Sequence, residues 1–279
     1  MDGSIATEQD APFTLVGRGG KPLKNRKVAS LSTPLKPIQP LAEQRVNTHV
    51  KYKSRHGKNR RKEKTLMDHV HEVDARKVEI LASPFYHDIK GIAQKYLGLL
   101  CIESDSLQHQ DALSKPNTKV QDIVAYGIGS FTESWTSSSI LQMALLLVLK
   151  DELSIESPIY TYDPEYTSMD CEVLQHYGIL VLTEDESGHR RVESCTLFYM
   201  PHCEMWLYSN VLKSNWDDLK QIVIMGNSFA DYHLKTLSDE QWLKMGSYVR
   251  KTVGLVQELP LRNTFSDKAA FNNTSLHWF

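Results

Sequence analysis

Cysteine is scarce in this 279-residue chain: Cys101, Cys171, Cys195 and Cys203 are all it has, and no two form a C-x-x-C pair. That spacing excludes a zinc ribbon and a redox dithiol. Long apolar runs are also missing. The longest, Ile140 to Leu149, is broken by Gln142 and falls far short of the ~20 residues a membrane span needs. The opening residues MDGSIATEQD have no apolar core, so they do not read as a secretory signal. Reduced thiols in the cytoplasm follow, with the nucleus as a second address. No Walker, H-E-x-x-H, G-x-S-x-G or kinase signature occurs. Lacking any established catalytic motif, the chain points away from an enzyme. Hydrophobic residues at 41% and charged residues at 24% exclude collagen and a wholly disordered chain.

What is present is unevenly spread. Of 32 Lys/Arg and 34 Asp/Glu, residues 1–65 hold 15 and 5, which leaves 17 and 29 for residues 66–279. A basic front is therefore joined to an acidic body. Residues 1–65 carry five prolines and no sustained hydrophobic period, so they bury too little apolar surface to offset their ordering entropy. They read as a disordered basic arm ending in KYKSRHGKNRRKEK, Lys51 to Lys64. Such a run suits an acidic protein, an import receptor or nucleic acid, or serves as a solvated tail.

Residues 66–119 read as a helical segment and a loop. Ile89, Ile92, Tyr96, Leu99 and Leu100 share one helical face, and Pro84 separates them from a weaker pattern at Val70, Val73, Val78 and Leu81. The loop is expected over Gln108 to Lys119, around Pro116. From residue 120 the texture alternates. Strands are expected at 123–126, 159–162, 179–182, 196–200 and 222–225, and helices at 140–149, 169–177, 205–212 and 239–255. This alternation predicts an α/β domain over 120–279, a Rossmann-like three-layer sandwich with a mostly parallel sheet. Right-handed crossovers place every strand's C-terminal end on one edge, where such sheets bind ligands. Trp206, Trp216, Trp242 and Trp278 read as core rather than as an RNA-stacking platform.

Distinctive residues sit at four strand ends. Gly127-Ile128-Gly129-Ser130-Phe131 follows the first strand and Asp163-Pro164 the second. Pro201-His202-Cys203 follows the fourth and Gly226-Asn227-Ser228-Phe229 the fifth. A G-x-G turn lets the backbone approach a phosphate or nucleoside. Here Thr132 stands where the dinucleotide fingerprint has its third glycine, so a plain tight turn competes. Asp163 suits ribose hydroxyls, or serves as a turn former with Pro164. His202 and Cys203 suit a transition metal or haem iron, or are ordinary structural side chains.

Five strings in order carry a resemblance: Tyr126-Gly127-x-Gly129-Ser130-Phe131, Tyr162-Asp163-Pro164, Phe198-Tyr199-Met200-Pro201-His202-Cys203, Asn227-Ser228-Phe229, and the tail Phe271 to Phe279, which contains His277. Together they resemble the SRR-like family, named for "sensitivity to red light reduced". The resemblance covers Gln121 to Phe279. It implies a regulatory protein of circadian clock gene expression and haem biosynthesis, acting through unnamed protein partners and away from membranes. It names no catalytic residues and no cofactor. Gly127, Gly129, Ser130, Asp163, His202, Cys203, Asn227, Ser228 and His277 are its candidate ligand-binding edge. Haem is one candidate ligand, with His202, Cys203 and His277 for its iron. The alternative is a Rossmann-like transferase using a nucleotide or S-adenosylmethionine.

Overall fold

A computed structural model describes residues 63–98, 119–133 and 138–279. The arm up to Lys62, Leu99, Leu100 and the expected loop around Pro116 lie outside the described residues. The first helix, α1 (Leu66–Leu81), starts at a capping box in which Thr65 and Asp68 exchange hydrogen bonds. Ser83 then caps α2 (Pro84–Tyr96), whose first residue is Pro84. Phe85, Ile89, Ala93 and Tyr96 form its buried stripe.

Among the described residues, seven strands follow in one sheet. They are β1 (Asp122–Tyr126), β2 (Tyr160–Tyr162), β3 (Leu180–Val181), β4 (Thr196–Met200), β5 (Ile222–Asn227), β6 (Gln257–Pro260) and β7 (Thr274–Trp278). The spatial order is β3-β2-β1-β4-β5-β7-β6. The neighbours from β3 to β5 pair in parallel. Only β7 is reversed, pairing antiparallel with both β5 and β6. The five expected strands are therefore present, and two more extend the sheet on one side. Because β7 runs backwards, its first residues lie at the edge where β4 and β5 end.

Alternate residues of each central strand enter two apolar clusters, which is why these strands read as continuous apolar runs. Ile123, Ala125, Leu197, Tyr199, Val223 and Met225 join α1, α2, α3 (Ser138–Glu152) and α4 (Ser168–His176). Val124, Tyr126, Phe198, Met200, Ile222 and Ile224 join α5 (Met205–Ser214), α6 (Phe229–His233), α7 (Asp239–Met245) and α8 (Ser247–Lys251). In α3 all residues from Leu141 to Leu149 are buried. Gln142 is tolerated there because its amide donates to Ala270 O at 3.0 Å.

Two expectations change. The single helix over 239–255 is α7 and α8, broken at Gly246. A Cβ at Gly246 would stand 2.7 Å from Met205 Sδ, so any side chain there would force the Met205 side chain on α5 to shift. Trp206 is 41% exposed rather than core, whereas Trp242 and Trp278 are buried. Among the described residues, no helix is long and apolar enough to cross a membrane.

Candidate functional site

The loop after β1 turns twice through the left-handed region, at Gly127 (φ +72°) and Gly129 (φ +77°). Glycine is required at the first for a second reason: a Cβ there would overlap Cys203 Sγ. The loops after β1 and β4 are thus pressed together. Cys203 donates its thiol proton to Tyr126 O at 3.3 Å. Burial, with help from the charges of Asp163 and Glu204, pushes that thiol far above its ordinary pKa. It stays protonated and is a poor nucleophile.

Three backbone donors of this loop, on Gly129, Phe131 and Thr132, are spent within the chain. Gly129 N–H donates to Asp163 Oδ2 at 2.8 Å, and Glu165 N–H to Asp163 Oδ1 at 2.8 Å. Phe131 N–H and Thr132 N–H both donate to Asp170 Oδ1, at 3.0 and 2.9 Å. The other Asp170 oxygen accepts from the backbone N–H and the hydroxyl of Thr167, each at 2.8 Å. Asp170 is fully buried. Burial works against its charge, but hydrogen bonds from Thr167, Ser130 and Thr132 prevail and hold the carboxyl below its ordinary range. An internal carboxylate therefore sits where an anionic ligand of such a turn would sit.

After β4, His202 is exposed with φ +55°. Its Nε2 lies 3.1 Å from Ala269 O and 3.3 Å from Ala270 O. Carbonyls only accept, so Nε2 carries the proton. After β5, the Asn227 amide donates to Cys203 O at 3.1 Å and to Tyr232 OH at 2.9 Å. Tyr208 OH donates to Met200 O and accepts from Asn227 N–H at 2.9 Å, tying the ends of β4 and β5 together. Ser228 caps the short helix α6 by accepting from Asp231 N–H at 3.1 Å.

His277, on β7, is completely buried and stacked on Phe229 with ring centroids 4.1 Å apart. Its Nδ1 donates to Ile224 O at 3.1 Å, and its Nε2 faces Phe229 N–H at 3.4 Å. Glu258, opposite it on β6, takes Ala230 N–H on Oε2 at 2.8 Å. Glu258 Oε1 stands 3.7 Å from His277 Nε2, is closed to solvent and has no hydrogen-bond partner among the described residues. Burial opposes the charge of Glu258. The His277 and Ser228 side chains and Ala230 N–H outweigh it and draw the carboxyl down to about 2.

The candidate edge thus divides. Gly127, Gly129, Ser130, Asp163, His202 and Cys203 gather over β1, β2 and β4. Ser228 and His277 lie over β5 and β7, with Asn227 bridging the groups. Of the three candidates for haem iron, Cys203 holds its proton and His277 has no open face, whereas exposed His202 keeps Nδ1 open while carbonyls hold its Nε2–H, the usual arrangement of a ligating imidazole. Among the described residues, no group of three or more His, Cys, Asp or Glu could hold a metal ion. Three residues of the site were not expected. Asp170 had a signal in the spacing Thr167-x-x-Asp170, a helix-start pattern. Tyr208 and Glu258 had none.

Residues 93–278 match the family model described as the SRR1 domain. The chain is 31% identical to "Protein SENSITIVITY TO RED LIGHT REDUCED 1" of Arabidopsis thaliana, over 64% of this chain and 66% of that protein. It is 40% identical to an "SRR1-like protein" of Mus musculus, over 41% of this chain and 47% of that one. An "SRR1-like protein" of Drosophila melanogaster is 25% identical over 64% of this chain and 61% of its own. The matched part spans about half to two thirds of these relatives. No solved structure matches the chain significantly.

Proposed function

The chain belongs to the SRR1 domain family, and from that premise we propose that it is a regulatory protein of circadian clock gene expression and haem biosynthesis. The observation that carries the reading is the family match over residues 93–278. In this reading the protein works in the cytoplasm and nucleus. It acts through protein partners and through a ligand taken at the C-terminal edge of the sheet. The basic run Lys51 to Lys64 supplies a docking segment for an acidic protein, an import receptor or nucleic acid. Control of haem synthesis does not require the protein to ligate haem, and control through a partner serves it equally. The test is removal of the protein from cells, followed by rescue. Clock-reporter period and cellular haem content should both shift, and the wild-type chain should restore both. Cells that keep both unchanged without the protein would overturn the reading.

A second reading, a Rossmann-like transferase, is favoured by one observation: the sheet changes direction of winding between β1 and β4, with a G-x-G turn at the end of β1 and Asp163 at the end of β2. Open α/β sheets bind nucleotides at such a switch point. The support is fold analogy, which bears on placement more than on chemistry. A ligand there must displace the Asp163 bond to Gly129 N–H. Equilibrium dialysis with S-adenosylmethionine decides it. Binding that Gly129→Trp abolishes supports this reading, and no binding, or binding that Gly129→Trp leaves intact, removes it.

A further inference from the structure

A pocket of about 330 Å³ opens at the same sheet edge, two strands away from the glycine turn. Ser228, Asp231, Glu258, Leu261, Thr274 and Ser275 form most of its wall. That volume suits a molecule the size of an amino acid or a short amine. None of the described residues lining the pocket is basic. Its walls instead offer two carboxylates and three hydroxyls.

Glu258 gives the pocket its character. Ala230 N–H occupies Oε2, and Oε1 is buried without a hydrogen-bond partner. His277 Nε2, at 3.7 Å, is too far to bond. The groups around it hold Glu258 charged, so a cationic donor brought to Oε1 meets a full carboxylate. Oε1 is closed to solvent, so a ligand reaches it by turning the soft terminal torsion of the glutamate at the expense of the Ala230 N–H bond to Oε2. Asp231, exposed at the rim, adds a second negative charge on the path in. The hydroxyls of Ser228, Thr274 and Ser275 supply further acceptors.

We propose that this pocket binds a small molecule bearing a protonated amine or guanidinium, with Glu258 as its anchor. The proposal gives a chemistry to the ligand invoked for the regulatory reading, and its failure would leave the cellular role standing. Four residues of the pocket wall, Ser228, Asn273, Thr274 and Ser275, come from two of the strings that carry the family resemblance. The glycine turn and Asp163 take no part in this site.

The test is calorimetric titration of the full chain with agmatine, alongside n-butanol as an uncharged probe. Agmatine should bind with a Kd below 1 mM by the affinity of a single buried charge-assisted contact, roughly, and n-butanol should not bind. Glu258→Gln should weaken agmatine at least tenfold. Should that variant fail to fold, Asp231→Asn and Ala230→Trp decide. Both positions are exposed, and the donor on Ala230 is backbone, so the fold is kept. Asp231→Asn should weaken binding a few-fold, and Ala230→Trp should fill the pocket and abolish it. No binding to the wild-type chain overturns the proposal, as does equal binding of agmatine and n-butanol. Binding that Ala230→Trp leaves untouched also overturns it, because the amine then sits elsewhere. Cellular rescue by Ala230→Trp separates the two claims: full rescue means the regulatory role does not use this pocket.

Discussion

Over β1, β2 and β4, Gly129, Phe131 and Thr132 give their N–H groups to Asp163 and Asp170, whereas over β5, β7 and β6 the Glu258 carboxylate keeps one oxygen unmet beside a cavity. Both regions lie on one sheet edge, and both are built from strings that look alike in kind: small residues, a hydroxyl, an aromatic. They differ in what the fold has supplied. In the first region a buried carboxylate arrives from the start of α4 and fills the turn. In the second, β7 returns antiparallel and brings His277 and Glu258 opposite each other, with no partner left for Oε1. A glycine-rich turn is therefore a poor guide to an open site unless its donors are free.

Breaking the first region should have the largest effect. Asp170→Ala removes the acceptor for three backbone N–H groups and should cost about 3–5 kcal/mol in urea unfolding. Asp170→Asn should recover part of that loss, since one oxygen remains. A cost under 1 kcal/mol, roughly, would mean the turn does not depend on its internal carboxylate.

Gly127→Ala should cost about 2–3 kcal/mol, from left-handed strain and from overlap with Cys203 Sγ together. The steric share is separable. Adding Cys203→Ala should return about 1 kcal/mol or more, read as the coupling in a double-mutant cycle. Strict additivity would place the whole cost in the backbone.

In the second region, Glu258→Gln should cost about 1–3 kcal/mol, through loss of a charged acceptor for Ala230 N–H. The carboxyl is drawn from 4.5 down to about 2 by folding, so the stability it contributes is complete above its unfolded pKa and drains away as pH falls from 4.5 toward 2. Acid unfolding of the wild-type chain should therefore be steeper over that interval than acid unfolding of Glu258→Gln. Coincident acid curves would mean that the charge is not stabilised. The smallest effect belongs to Asp163→Asn, at about 1 kcal/mol or less, because the amide oxygen still accepts from Gly129 N–H and the N–H of exposed Glu165 turns to water.

The central sheet was legible in the sequence for a physical reason. Strands β1, β4 and β5 are buried on both faces, so they appear as unbroken apolar runs bounded by glycine or proline. β7 was not legible as a strand, although it is equally buried. Its sequence Thr274-Ser275-Leu276-His277-Trp278 is half polar, and only the tertiary partners of His277 make that burial tolerable. β6 ends in Pro260 and sits at the sheet's margin, where period-two patterning is weak. The break at Gly246 was hidden because a lone glycine inside an amphipathic pattern does not by itself end a helix, and the Met205 side chain that crowds it lies about forty residues earlier. The same division holds for the site. Gly127, Gly129 and Asp163 were visible as strand-end residues, and the structure brings them together. That their groups are already spent depends on Asp170, and the orphaned oxygen of Glu258 depends on pairing across an antiparallel turn of the sheet. Neither follows from local spacing.

The most direct measurement is an amide chemical-shift titration of the isotope-labelled full chain with agmatine. Shifts at Ala230, Asp231, Glu258 and Thr274 should saturate together, while Gly127, Gly129 and Phe131 stay fixed. Shifts centred on Gly129 and Phe131, with Ala230 and Glu258 unmoved, would contradict binding at the Glu258 pocket.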